Sequence, residues 1–511
     1  MVVTAADQDS GFVPPKPPPR WWLRAGIAVV VAAALVAGGL WAWDHFVVRC
    51  WDGVRKDDST GECIGVTDGS HAFDKHLEKV TSKIHQANQE AAKAEDWVAI
   101  AYVEPMTGGP GGKGWSSIEE ELQGAYLAQK ELNSEAGGHG TTPQIKLLLA
   151  NPGRGLQQQA ELVDQIIRMT HGPHPVVAVA GFGLSRQGTK DAVHTLRAAG
   201  VPMVGSTVTA DRLSSNKSGF FRAVAPNSAE AAAVARHLVQ QQKKSDGFRV
   251  QLIKDRNTDD IYSVSLADGF TEAAAATGLD VDPETVPFLS GPERAVNLAM
   301  DTVADKICDQ QDPPDAVYFA GRGRDLRRFI ESAHANGRRC PVTVYTGDDA
   351  VGMFFGIDPE DHPDAYDDFL KDWEHSKVRV KYTAIAHPDA AADIYPDGAD
   401  PYSEFADTYL NTPGFRGKNG LLNGQAMLGH DAVLAVGTAI RDAKGKRGTG
   451  TVTTRSVLGM LLQISGDKAL HGVSGPIGFD DMGNPAHKPL PLVELHPREQ
   501  NQYEYLTLVR P

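Results

Sequence analysis

The residues best placed for chemistry in this chain are small hydroxyl side chains at the ends of apolar runs. Ser185 follows a strand candidate, VVAVA at 176–180, and sits beside the start of a predicted helix at 188–199. Ser206, Thr207 and Thr209 follow a second strand candidate at 201–204. Hydroxyls and unpaired backbone N–H groups at such places suit a carboxylate. Taken singly, each is also an ordinary turn or N-cap residue; their grouping at adjacent strand ends points to a ligand. The signatures of catalysis are missing. GGPGGKGWSS at 108–117 resembles a phosphate loop only superficially, because Lys113 is followed by Gly114 and Trp115 rather than by Ser or Thr. GFGLSR at 181–186 lacks the third glycine of a dinucleotide loop, no serine sits in a G-x-S-x-G elbow, and no H-E-x-x-H occurs. The expectation is a protein that is not an enzyme and has no cofactor. No C-x-x-C occurs and no histidine pair has ligand spacing beside a cysteine, so no metal site is expected either.

The elements that must position these loops alternate. WVAIAYV at 97–103 is a strand candidate, followed by a Gly-rich loop at 105–114 and a helix with Ser116 as N-cap and Glu119 as its capping-box partner. Strand 145–150, helix 156–169, strand 176–180, helix 188–199 and strand 201–204 follow. The alternation resumes with strand 248–253, helices 262–276 and 294–307, strand 316–320, helix 324–336 and strand 342–346. Strands this short and apolar on both faces suit a parallel sheet covered by helices. FFRAVAPNSAE at 220–230 reads as an interdomain crossing. The Asp-, His- and Pro-rich stretch 347–400 reads as loops, with later helices at 402–411, 426–443 and 453–464. GPIGFDDMGNP at 475–485 reads as a hairpin-like turn.

The chain has 511 residues and a formal net charge of −15, with 41% hydrophobic and 23% charged residues. That length suits two to four domains, and the acidic balance lacks the basic footprint of a nucleic-acid binder. No charge interrupts Ala25 to Trp43. At about 1.5 Å per residue, this run approaches the roughly 30 Å apolar thickness of a bilayer. Trp21, Trp22, Trp41 and Trp43 flank it, and Lys16, Arg20 and Arg24 precede it. The expected arrangement is a cytoplasmic tail at 1–22, an uncleaved transmembrane helix at 23–43 and a large extracellular part on a single-pass cell-membrane protein. Residues 44–95 are expected to form a juxtamembrane region, as a stalk or as an extension packed on the next domain. Four cysteines outside a reducing compartment favour two bridges, and 50–63 with 308–340 is the simplest of three connectivities.

An ordered set of segments carries a resemblance. GFGLSRQGTKDAVHTLRAAGVPMVGSTVTADRLS at 181–214, FFRAVAPNSAE at 220–230, DAVYFAGRGRDLRRFI at 315–330 and VYTGDDA at 344–350 resemble the branched-chain amino-acid-binding-protein family of bacterial transporters. GHDAVLAVGTAI at 429–440 and VSGPIGFDDMGNP at 473–485 resemble its closing motifs, and the anchor with GECIGVTDG at 61–69 looks like actinobacterial members. The resemblance implies an α/β, two-lobed type I periplasmic-binding-protein fold. Its lobes would be 96–225 plus 341–465 and 226–340 plus 466–511, with a hinge that closes on a ligand. It also implies the pocket. Trp115 would cap the ligand, Ser185, Ser206 and Thr207 would face its carboxylate, and Tyr262 would close from the second lobe. Arg322 would point into the cleft, and Asp348 or Asp349 would face an ammonium. The amino-acid binders usually carry two small hydroxyl residues in the first strand-end loop, whereas Leu184 and Arg186 flank Ser185 here; Arg186 and Arg322 suit an acidic ligand or surface ion pairs. The implied function is a solute-binding component of an ABC transporter, taking a small polar or amino-acid-like ligand and partnered by a permease. The alternative on the same fold is a membrane-tethered sensor or protein-interaction module.

Overall fold

In a computed structural model, the described residues are 21–43, 49–108, 113–134, 141–215, 219–291, 293–311, 313–398, 400–445, 448–498 and 502–511. The cytoplasmic tail expected at 1–22 lies outside them up to residue 20. The chain divides into two compact units, Met1–Cys50 and Trp51–Pro511. In the first, Trp21–Trp43 forms one helix, and its described side chains 25–36 are exposed. Among the described residues, no helix is long and apolar enough to cross a membrane.

The second unit contains two sheets with the same winding. In the first, Gln144–Asn151, Trp97–Val103, Val176–Gly181, Met203–Gly205 and Phe220–Arg222 lie side by side and parallel. In the second, the parallel order is Val286–Phe288, Val250–Asp255, Ala316–Ala320, Thr343–Thr346 and Arg379–Thr383. Each order runs second, first, third, fourth, fifth in the chain, the doubly wound pattern with a switch point beside its first strand. The strands fit this role because they are apolar on both faces: all of Val176–Gly181 and all of Ala316–Ala320 are buried. Antiparallel strands Leu490–Leu495 and Tyr503–Val509 extend the second sheet.

Several expected boundaries need correction. Of the two forms expected for residues 44–95, the packed extension is present: residues 54–56 and 63–67 pair antiparallel at the edge of the first sheet, and helix Glu78–Ala91 packs on strand Gln144–Asn151 and helix Trp115–Leu132. The stretch read as loops holds helix Pro363–Ser376 and strand Arg379–Thr383. Its apolar residues Tyr366, Phe369, Leu370 and Trp373 recur at helical spacing between the charges, and they are buried. Strands 343–346 and 379–383 therefore belong to the second sheet, so the chain returns to the first lobe after Thr383 and not at 341. Residues 473–479 still pack in the core of the first lobe, so the last crossing falls between 479 and 490 rather than at 466. The hairpin-like turn expected at 475–485 is present as a tight turn closed by an antiparallel bridge between Phe479 and Pro485, and a second hairpin precedes it as strands Leu470–Gly472 and Gly475–Ile477.

The N-cap of helix Trp115–Leu132 is Gly114, not Ser116. A side chain at Gly114 would strike the Phe355 ring, so the cap position takes a glycine, and Ser116 Oγ donates to Asp358 at 3.3 Å. This helix packs closely on helix Gln425–Lys444. A Cβ at Gly124 would lie 1.8 Å from the Ala426 carbonyl oxygen, and one at Gly429 would lie 2.1 Å from that of Glu121. The near contact of the two backbones fixes where Glu121 stands. Cys308 and Cys340 are bonded to each other, with Cα atoms 5.0 Å apart, and Cys50 and Cys63 are also disulfide-bonded.

Candidate functional site in the interlobe cleft

Both switch points open on the same cleft. The C-terminal ends of the first-lobe strands supply Glu104, the loop Gly183–Ser185 and residues 206–209. Those of the second supply Asp260, Tyr262, Arg322, Asp348 and Asp349. Between them is a cavity of about 20 Å³, room for one water, lined among others by Lys113, Ser185, Thr207, Thr209, Tyr262 and Arg322.

On the first-lobe side the central group is a cation. Lys113 Nζ lies 3.0 Å from Glu104 Oε1 and donates to Glu121 Oε2. Tyr102 donates to Glu121 Oε1 at 2.7 Å, and Ser206 donates to the same oxygen. Lys113 is 2% exposed and both glutamates 0%. Burial, and next the Glu121 charge, push Glu104 up to about 8, so it carries a proton at neutral pH. Burial works against the Lys113 charge, but Glu104 and then Glu121 outweigh it and raise its pKa. Glu121 thus already holds an ammonium that belongs to the chain, with Glu104 beside it.

On the second-lobe side Asp260 caps helix Ile261–Thr277, accepting from the Tyr262 and Ser263 amides at 3.1 and 3.3 Å. It also takes Arg322 in a fork, Nε to Oδ2 and Nη2 to Oδ1 at 2.8 Å each. Against the burial that would raise it, Arg322 holds Asp260 below the usual carboxylate range. The guanidinium lies 4.4 Å from the centre of the Tyr262 ring and crosses the cleft to donate to the Ser185 carbonyl at 2.7 Å. Asp349 accepts from the Gly323 amide at 2.8 Å, and a Cβ at Gly323 would collide with the Asp349 backbone. Asp348 accepts from Thr209 at 3.2 Å, a second bond between the lobes. Burial, then Asp349, push Asp348 up to about 7. Its amide donates to Glu230 at 3.0 Å, and Thr383 donates to the same glutamate at 2.7 Å.

Of the eight sequence-predicted site residues, Ser185, Thr207, Tyr262, Arg322, Asp348 and Asp349 line the cavity. Trp115 and Ser206 do not. The Trp115 ring lies under Gly108 and stacks on His76 with centroids 5.1 Å apart, and Ser206 is spent on Glu121. Sequence reasoning missed Lys113, Glu104 and Glu121. Lys113 was visible as the one cation of the Gly-rich loop. Glu121 was masked as the third acid of EEE at 119–121, a run that usually marks a solvated helix face, and all three of those glutamates are buried here.

The chain belongs to the periplasmic binding protein family, whose model matches residues 98–500. No curated protein sequence matches it. Solved structures of the same fold include a leucine-binding protein, LivK, from Thermotoga maritima. It is 20% identical, covers 81% of this chain and 99% of its own, and has a TM-score of 0.57. The branched-chain amino-acid transporter substrate-binding protein LivJ from Streptococcus pneumoniae, in complex with isoleucine, is 19% identical with the same coverage and TM-score. A solute-binding protein from R. palustris in complex with 4-hydroxybenzoate is 13% identical, covers 81% of this chain and 97% of its own, and has a TM-score of 0.55. The family and fold are those of solute-binding proteins, not of enzymes.

Proposed function

We propose that the chain is the extracytoplasmic solute-binding component of an ABC-type transporter, taking a small polar or amino-acid-like ligand between its lobes. The observation that carries this reading is the convergence of two switch points on one cleft, with hydroxyl groups from both lobes and the Arg322 guanidinium and the Asp348 and Asp349 carboxyl groups from the second. Solved neighbours of this fold are transporter substrate-binding proteins whose structures hold isoleucine, leucine or 4-hydroxybenzoate. Read from the sequence, the uncharged run 25–43 with its basic N-terminal flank, part of whose side chains lie outside the described residues, would tether the protein to the cell membrane with the large part outside. A permease would then be the partner. The test is thermal stabilisation of the full chain by amino acids, organic acids, sugars and nucleosides. Binding to the native state raises the melting temperature by linkage, whereas no shift with any of them contradicts the reading.

One observation favours the second reading, a tethered sensor or interaction module. The cavity has room for one water, and Lys113 and Arg322 fill the carboxylate sites that an ammonium would take. A cleft closed on its own ion pairs suits a receptor that answers a protein partner. Under this reading the stabilisation screen is flat while the folded chain is retained by an envelope partner.

A further inference from the structure

Loop 355–362 of the second lobe lies against the first lobe. Phe355 and Ile357 pack on the second-lobe core at one end of it, and helix Pro363–Ser376 follows at the other. Phe355, Asp358, Glu360 and Asp361 each meet a first-lobe group. The Phe355 ring rests on Gly114, where a Cβ would lie 2.5 Å from a ring carbon. Ser116 Oγ donates to Asp358 at 3.3 Å, Arg416 Nη2 lies 3.2 Å from Glu360 Oε1, and His76 Nε2 lies 3.0 Å from Asp361 Oδ2.

The receiving groups are held in place by their own lobe. Gly114 caps helix Trp115–Leu132 and Ser116 stands in its first turn. Arg416 lies 3.3 Å from Glu119 and 3.2 Å from Glu120 of the same helix. His76 Nδ1 lies 2.7 Å from Asp74 Oδ1, and its ring stacks on Trp115 with centroids 5.1 Å apart. An isolated surface ion pair contributes little, but a network of groups already fixed on one side loses less freedom when the other side meets it. His76 comes from the N-terminal extension, which precedes the family match at 98–500. The extension therefore does more than cover the first sheet; it reaches the second lobe. Phe355 also lines the inner cavity, whose volume of about 20 Å³ admits one water, so a larger solute enters only when this loop and the first lobe part.

We infer that loop 355–362 is a clasp that holds the cleft closed by the chain's own side chains, with His76 of the N-terminal extension as one of its catches. The closed form is then the resting form, and entry to the cleft waits on release of the clasp. A binding-competent state that is populated only in part lowers the apparent affinity by that fraction. The clasp holds the lobes whether the cleft serves a solute or a protein partner, so it does not rest on the choice between those functions.

The test is pulsed electron spin resonance on the full chain in detergent, with no solute added. The native cysteines are disulfide-bonded, so the spin labels go on His194→Cys and Thr302→Cys. Both positions are exposed, on helix Gln187–Ala198 of the first lobe and helix Glu293–Cys308 of the second. The parent should give the short distance of the closed structure, with a longer one making up no more than about 10%. Asp358→Ala, Glu360→Ala and Asp361→Ala together should make the longer distance the major one, a shift of about tenfold in the lobe equilibrium. His76→Ala should shift the distribution the same way by less. Asp368→Ala removes a similarly exposed acid of the same lobe, whose partner is Lys371 of its own helix at 3.2 Å, and should change nothing. If the triple variant melts well below the parent, Glu360→Ala with Asp361→Ala, both exposed positions, carries the test with the same expectation. A folded clasp variant that keeps the parent's short distance overturns the inference. So does a parent whose main distance is already the longer one, or a shift in Asp368→Ala as large as that of the clasp variant. A His76→Ala distribution equal to the parent's overturns the part assigned to the extension.

Discussion

Replacing Lys113 by Met removes one charge from a buried site. The ammonium is 2% exposed, lies 3.0 Å from Glu104 and bonds Glu121, and both acids are fully buried. At an effective dielectric of about 20, a unit pair at roughly 4 Å is worth about 4 kcal/mol. Removing one partner of a buried pair costs about 3–5 kcal/mol, because the remaining charge is stranded. Methionine keeps most of the volume, so little of the cost is a cavity. With unfolding entropy near 2 cal/mol/K per residue, a cooperative unit of this size should lose about 3–5 °C of melting temperature. Calorimetry of the parent and Lys113→Met at pH 7 reads this directly. Glu104→Gln provides the control. Glu104 already carries its proton at that pH, so the amide should cost no more than about 1 kcal/mol. In the Lys113→Met background the same change should be neutral or stabilising, since it removes a second acid beside Glu121. A Lys113→Met protein that melts within a degree of the parent would refute the claim that this cation holds the first-lobe wall together.

Two further outcomes follow from the same packing. Glu104 and Glu120 rise from 4.5 to about 8 and Asp325 and Asp348 from 3.8 to about 7, burial being the first cause in each, while the Asp431 and Glu131 bonds raise His430 to about 9 against burial. The folded chain keeps protons that the unfolded chain has lost, so this stability is full below the unfolded values and is lost as pH rises through the folded ones. The melting temperature should fall steadily from about pH 5.5 to 8.5, and a rise over that window would contradict these burial effects. Gly124→Ala would put a methyl carbon 1.8 Å from the Ala426 carbonyl, so the two helices must part, at a cost of about 1–3 kcal/mol. Urea unfolding checks this, and an unchanged midpoint would show that the helices can slide apart freely.

The sequence made the first-lobe alternation legible because its strands are uniformly apolar and its helices are amphipathic. VVAVA at 176–180 and AVYFA at 316–320 are fully buried strands of parallel sheets, as their apolar runs predict. Short strands such as Val286–Phe288, with an exposed proline at its middle, carry no such signal. The return of the chain to the first lobe was misplaced because strand Arg379–Thr383 alternates charged and apolar residues among acidic neighbours. The strand-end hydroxyls were legible as a group, since Ser185, Thr207 and Thr209 do face the cleft. Their partners were not. Whether Ser206 meets a ligand or Glu121 depends on the register of a helix about 85 residues away. The role of Lys113 depends on Glu104, at a strand end, and on Glu121, which the sequence pattern places on a solvated helix face. The resemblance located the cleft but could not show that the cleft contains its own cations.

The central claim is that the space between the two switch points binds a solute. The most direct measurement is calorimetric titration of the most stabilising compound from the screen into the parent and into the Tyr262→Ala, Asp348→Ala double variant. These two side chains line the cleft from the second lobe. The account predicts at least a tenfold loss of affinity in a variant that remains folded. Equal affinity in the two proteins would place the solute elsewhere and contradict the account.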